Sequence, residues 1–185
     1  QTAPDIFHHC QEILECDDSL RVQGLLQKSR VRVLCTTDDP ADDLHWHQVL
    51  HDSQFHSARV VPAMRPDRLM HIEGDDFSSY VEQLGESADM TIHTFADMCD
   101  ALKRRMDVFA EMGCRAADHA LDEVVYQPVP AASLERIFQK GLSHKTISSD
   151  EREQYLTGLL LFLAGEYRHR GWVMELHMGA LRNVY

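Results

Sequence analysis

Apolar positions along the chain alternate between helical spacing and short consecutive runs, the signature of helices interleaved with strands. Residues 2–15 begin with Thr2 as a cap and Pro4 in the first turn. Ile6, Cys10, Ile13 and Leu14 then share one face, which predicts an amphipathic helix. Ser19 is the expected cap of a second helix reaching Leu26. Val31, Val33, Leu34 and Cys35 follow as a β-branched apolar run, a buried strand ending in Thr36-Thr37-Asp38-Asp39-Pro40. Asp42 or Asp43 is expected to open a helix carrying Leu44, Val49 and Leu50. A second strand over residues 58–64 stops at Arg65-Pro66-Asp67.

The pattern continues with a long helical region between Phe77 and Met112, closed by Gly113 in the position that favours glycine after a helix. A strand of weaker propensity is expected within residues 114–122, then a helix from Ser133 to Gln139. Ser148-Ser149-Asp150-Glu151 caps a strongly apolar helix containing Tyr155, Leu159, Leu160, Phe162 and Leu163, and Gly171 stops it. The last strand covers residues 172–176 and opens onto His177. Four strands separated by helices imply βαβ units, an α/β fold and a parallel sheet with both faces covered. A barrel wall and a doubly wound sheet both satisfy this pattern.

At 185 residues and 44% hydrophobic, the chain has the size of one domain or part of one. It holds no run of apolar residues long enough for a membrane span and no basic flank leading into a signal core. Thirty acidic against 18 basic side chains give a formal charge of -12, which argues against a nucleic-acid partner. Cys10, Cys16, Cys35, Cys99 and Cys114 are odd in number and widely spaced, so a complete disulfide framework is excluded and a cytoplasmic location is expected. No CxxC pair supports a structural zinc site.

Each expected strand carries ionisable residues at its C-terminal end: Asp38 and Asp39; Arg65 and Asp67; Asp118, His119 and Asp122; His177 and Arg182. In α/β barrels that rim is the active-site face. Loops are polar in any protein, and each cluster alone carries that plainer explanation. His177, directly after an apolar run, has the chemistry of a metal ligand, a general acid or base, or a donor to substrate, with a satisfied core histidine as the plainer alternative. Arg65 and Arg182 suit a carboxylate or polyol, because guanidinium is a planar fork of donors that stays charged; a structural ion pair is the alternative. His45-Trp46-His47 resembles an HxH metal motif but falls in an expected helix, where residues two apart do not share a face. The methionines of the long helices read as core filling. There is no glycine-rich phosphate loop and no G-x-S-x-G elbow.

In order, Cys35-Thr36-Thr37-Asp38-Asp39-Pro40, Arg65-Pro66-Asp67, Ala117-Asp118-His119-Ala120-Leu121-Asp122, Gly171-Trp172 and His177-Met178-Gly179-Ala180-Leu181-Arg182-Asn183 resemble the uronate isomerases of the amidohydrolase superfamily. The likeness runs over essentially the whole chain. It implies a partial (β/α)₈ TIM barrel in which residues 1–185 are an internal fragment of one barrel domain, with strands two to five of the eight. It also implies interconversion of D-glucuronate and D-fructuronate, and of D-galacturonate and D-tagaturonate, by proton transfer between adjacent sugar carbons assisted by a divalent metal, zinc by expectation. His177 and Arg182 match the family's catalytic residues of the fifth strand. Arg65, Asp38 and His119 are the expected substrate-binding residues.

The family's first-strand HxH pair and last-strand aspartate have no counterparts in this sequence, so its main metal ligands are absent and His177 is the sole metal candidate. The fragment is therefore expected to bind no metal and to be catalytically silent. Its expected partner is a small uronic acid, and a homo-oligomer is expected in place of any nucleic-acid or membrane partner. Two other readings stay open at this point. The whole protein is then a metal-dependent hydrolase or decarboxylase of the same superfamily, or the chain is a self-associating module without catalysis.

Overall fold

The computed structural model describes residues 2–53 and 57–179. Along the chain run α1 (Ala3–Cys16), a 3-10 turn (Asp18–Leu20), α2 (Val22–Lys28), β1 (Val33–Asp38), α3 (His45–Asp52) and β2 (Arg59–Met64). A second 3-10 turn (Asp67–Met70) leads to α4 (Phe77–Ser87), α5 (Phe95–Glu111), β3 (Ala116–Leu121), α6 (Ala131–Leu142), α7 (Ser149–Arg170) and β4 (Val173–Met178). The strands form one parallel sheet in the order β1-β2-β3-β4. Four strands laid down in chain order without a reversal are what a barrel wall requires, whereas a doubly wound sheet reverses at a switch point.

The chain divides into two compact units. One comprises the described parts of Gln1–Thr36 and His45–Val61. Its α1 starts as the sequence predicts, with Thr2 and Asp5 in a reciprocal capping box. Its apolar stripe stays uncovered among the described residues: Ile6 is 51% and Leu14 60% exposed. The second helix starts later than predicted. Asp17 takes the cap by accepting the Ser19 N–H at 2.9 Å, so Ser19 falls inside the first 3-10 turn and α2 begins at Val22. In α3, His47 is buried with Nε2 3.0 Å from the Thr36 hydroxyl, while His45 is exposed. Helical geometry thus separates the HxH pair, as its spacing predicts.

The other unit comprises Thr37–Leu44 and the described part of Pro62–Tyr185, and it holds the whole buried apolar cluster. Leu44 is buried but precedes α3: its backbone is left-handed at φ 56°, with its N–H held by Asp42 Oδ1 at 2.6 Å. That turn delays the helix expected from Asp42. The helical region from Phe77 to Met112 is two helices, because Asp89 turns left-handed and Thr94 opens a new capping box with Asp97. Phe77, Phe95, Phe138 and Tyr155 lock α4, α5, α6 and α7 together edge to face, with ring centroids 5.9–6.0 Å apart. Met64, Ala117 and Leu121 point into this layer from the strands. Both faces are covered only at the centre of the sheet: β2 buries Val61 to Met64 in succession, whereas β1 and β4 contain no fully buried residue. Among the described residues no helix is long and apolar enough to cross a membrane.

Two polar devices hold this unit. Arg105, 6% exposed on α5, donates to the carbonyls of Pro40 and Asp42 at 2.7 Å each and of Ser87 at 3.1 Å. It ties the segment after β1 and the end of α4 to α5. Arg105→Met is expected to lower stability by about 2–4 kcal/mol, because buried carbonyls lose a charged donor; chemical denaturation measures it.

At the start of α7, Ser148 and Glu151 form a capping box, and Lys140 binds both Glu151 oxygens at 2.6 and 2.8 Å. Hydrogen bonding from Lys140, then from the Ser148 N–H, holds the Glu151 carboxyl below the ordinary glutamate value. A depressed pKa contributes stability above the unfolded-state value, and that stability is lost as pH falls through the folded one. Glu151→Gln is expected to be less stable than the parent near neutral pH. The gap closes as pH falls through the carboxylate range, which unfolding midpoints against pH test.

Candidate functional site at the strand ends

The cluster at the C-terminal ends of β2, β3 and β4 follows from strand alternation. Ala117, His119 and Leu121 of β3 are buried on the helix-covered face, which sends Asp118 to the other. Met64 ends β2 in the core, so Arg65, the next residue, emerges on the Asp118 side. The parallel register pairs Asp118 with Glu175 and Ala120 with His177, bringing both β4 side chains to the same face. Gly171, left-handed at φ 66°, ends α7 and turns the chain into β4.

Asp118 is the hub. Its side chain is 9% exposed; Oδ2 accepts from Arg65 Nη2, and Oδ1 lies 2.6 Å from His177 Nδ1. The Thr37 hydroxyl of β1 approaches Oδ2 at 3.5 Å. Two lone pairs facing each other at 2.6 Å would repel, so Nδ1 carries a proton toward Asp118 and Nε2 is the ring nitrogen left for other partners. The 3.5 Å approach of Arg65 Nη2 to Nδ1 is then a contact between two donors and not a hydrogen bond. Arg65 Nε lies 3.6 Å from Asp67 Oδ2, and the same oxygen accepts the Ala120 N–H at 3.1 Å. Asp67 thereby extends the edge of β2 beyond its last residue.

The structure brings together Arg65 and His177 of the residues singled out from sequence. His119 lies elsewhere: it has no exposed surface and stacks on Tyr167, centroids 5.6 Å apart, on the helix-covered face. The carbonyl of Asp38, the last residue of β1, accepts the Arg65 N–H at 2.9 Å, while the β1 side chain that reaches Asp118 is Thr37. Arg182 lies outside the described residues. Asp118 stands among the rim residues expected from sequence but with no role assigned to it, and Glu175 is not among them. The signal available was alternation: each sits an even number of positions from a rim-facing neighbour, Asp118 from Ala120 and Glu175 from His177.

Asp118, Glu175 and His177 each offer a ligand atom within 4.8 Å of the others, the spacing of a partial metal site. The donor set does not fit a resident ion. Asp118 is engaged by Arg65 and His177 on its two oxygens, and the arginine already supplies the cation there. The carboxylate keeps further lone pairs, but a divalent ion placed on it would meet the Arg65 guanidinium at contact distance, and that like-charge repulsion opposes a resident ion while Arg65 stays in place.

The family model described as glucuronate isomerase matches residues 1–185. The chain belongs to the glucuronate isomerase family. It is 41% identical over 182 residues to the uronate isomerase of Lachnospira eligens, and 45% over 182 residues to that of Edwardsiella ictaluri. Each alignment covers 98% of this chain, and the chain spans 39% of the length of each relative. The solved uronate isomerase of Thermotoga maritima superposes with a TM-score of 0.81 at 32% identity, over 87% of this chain and 36% of the other. The glucuronate isomerase of Caulobacter crescentus superposes with a TM-score of 0.81 over 91% of this chain and 35% of its own; at 21% identity it speaks for the fold.

Removing Arg65 strands the Asp118 carboxylate, so Arg65→Met is expected to cost about 2 kcal/mol, discounted for the partial exposure of the arginine. Arg65→Met with Asp118→Asn is expected to recover most of that loss. A double-mutant cycle of unfolding free energies measures the coupling.

Proposed function

We propose that this chain supplies part of the substrate-binding rim of a uronate isomerase that interconverts D-glucuronate and D-fructuronate, and D-galacturonate and D-tagaturonate. The observation that carries this reading is the Arg65, Asp118 and His177 constellation at adjacent parallel strand ends, within a chain matched throughout by the family model. Arg65 holds the sugar carboxylate: Nη2 is committed to Asp118 and Nε faces Asp67, leaving Nη1 for a ligand oxygen. Asp118 fixes the tautomer of His177, so Nε2 faces the rim as a proton acceptor or, once protonated, a donor.

Aldose to ketose conversion needs a proton removed from the carbon beside the carbonyl and one returned to the former carbonyl carbon, through an enediol. His177 Nε2 is suited to handling the hydroxyl proton that moves in this exchange. The reading gives Asp38 a backbone role, through its hydrogen bond from Arg65, and keeps Arg182 as the second catalytic residue of the family match. A divalent metal, zinc by expectation, would supply polarisation of the sugar oxygens when bound in the whole protein. Among the described residues Asp118, Glu175 and His177 come closest to a ligand set, and Arg65 already supplies the cation beside Asp118.

The test is turnover by the full-length protein with zinc or manganese present. Glucuronate is expected to convert to a product of equal mass that chromatographs as fructuronate. Arg65→Lys is expected to raise KM about tenfold or more with a smaller effect on kcat, because lysine cannot reproduce the planar fork. A full-length protein that leaves both glucuronate and galacturonate unchanged, or yields a product of different mass, overturns the reading.

A further inference from the structure

Asp67 stands where the two faces of the sheet end meet. Its Oδ2 accepts the Ala120 N–H at 3.1 Å and lies 3.6 Å from Arg65 Nε. Its Oδ1 is buried without a hydrogen-bond partner among the described residues and lies 3.7 Å from His119 Nδ1. His119 is fully buried, and neither of its ring nitrogens has a hydrogen-bond partner among the described residues. Its ring stacks on Tyr167, which stacks in turn on Trp172 with centroids 5.9 Å apart. The Tyr167 hydroxyl is also buried and unpartnered there, and its pKa is pushed up by burial first, then by the charges of Cys114 and Asp67.

A buried imidazole whose nitrogens make no good hydrogen bond costs stability, and a phenylalanine would fill the same aromatic stack without that cost. The nitrogen facing Asp67 is what distinguishes the two side chains here. Arg65 in turn needs two anchors. Asp118 holds the guanidinium at Nη2 alone, and a planar group held at one donor can swing about that bond. Arg65 Nε makes no hydrogen bond among the described residues, and Asp67 Oδ2, 3.6 Å away, attracts it as an ion pair; that attraction is the second constraint on the direction in which Nη1 projects.

We infer that Asp67 and His119 are a positioning pair for Arg65, in which His119 holds Asp67 Oδ1 from the helix-covered side so that Oδ2 stays locked beside Arg65 Nε. This rests on reading Arg65 as the carboxylate-binding arginine. His119 thereby serves substrate binding without touching substrate. The sequence-based expectation that it binds substrate directly becomes an action through two intervening side chains.

The experiment uses the full-length protein with His119→Phe and His119→Asn. His119→Phe preserves the stack and removes both nitrogens; His119→Asn restores an N–H near the Nδ1 position. His119→Phe is expected to raise KM for glucuronate about tenfold while kcat changes by less than about threefold, because a misaimed arginine weakens binding of ground and transition states alike. His119→Asn is expected to return KM to within about threefold of the parent. An unchanged KM in His119→Phe, or an equal rise in both variants, overturns the inference. If His119→Phe does not fold, Asp67→Asn carries the test: a raised KM with kcat retained supports the pair, and an unchanged KM overturns it. If the parent protein turns over no uronate, the functional reading falls and crystal structures decide this one. An Arg65 guanidinium rotated from its parental position in His119→Phe, or failing that in Asp67→Asn, supports the pair, and an unmoved one overturns it.

Discussion

A carboxylate that is nearly buried must be paired, and the pairing of Asp118 organises everything at the strand ends. No single element can satisfy it. The arginine comes from the end of β2, the imidazole from β4 and a weaker hydroxyl contact from β1. Those partners arrive because the strands are parallel, in chain order and in the register that sets Ala120 of β3 beside His177. A slip of one residue in β4 would turn His177 to the other face and leave Asp118 with Arg65 alone.

The helical layer makes that register possible by giving the sheet a preferred side. Edge-to-face rings from four helices, with Met64, Ala117 and Leu121 beneath them, bury one face of β2 and β3. Polar residues at alternate positions are thereby forced to the other. Arg105 reinforces the separation from within α5, where its bonds to the Pro40 and Asp42 carbonyls tie down the segment that follows β1 and its bond to Ser87 holds the end of α4. His119 is the exception, a polar side chain on the apolar face, and its aromatic stack is what makes the ring tolerable there.

Much of this was legible from local pattern. Strand and helix order, the capping boxes at Thr2 and Ser148, and the glycine stop at Gly171 all depend on residues within one turn of each other. Arg65 and His177 were legible because each sits at the edge of an apolar run. The later start of α2 and of α3 was not. Asp17 and Asp42 each compete for backbone N–H groups that a continuous helix would use, and which aspartate wins is decided by turns the pattern does not encode. His119 was assigned to the rim because adjacent residues in a string look alike in one dimension, although strand alternation sends Asp118 and His119 to opposite faces. Glu175 was hidden by apolar neighbours on either side, and only the pairing with β3 reveals which way it points.

The sign of the charge at this rim constrains any reading of it. Among the described residues Asp67, Asp118 and Glu175 stand against one guanidinium, that of Arg65. Asp118 neutralises most of that positive charge, so a sugar acid meeting these groups alone would be repelled by its own carboxylate. A protonated His177 offsets one more carboxylate and no further. Binding of an anion therefore demands additional positive charge close to the cluster. The function proposed above assigns that charge to Arg182, five residues beyond His177 in the sequence, matched by the family's string and outside the described residues. The fixed aim of Arg65 matters more for the same reason. Where the net field opposes the ligand, affinity depends on the geometry of the few donors present, and a guanidinium free to turn back onto its own carboxylates would contribute none.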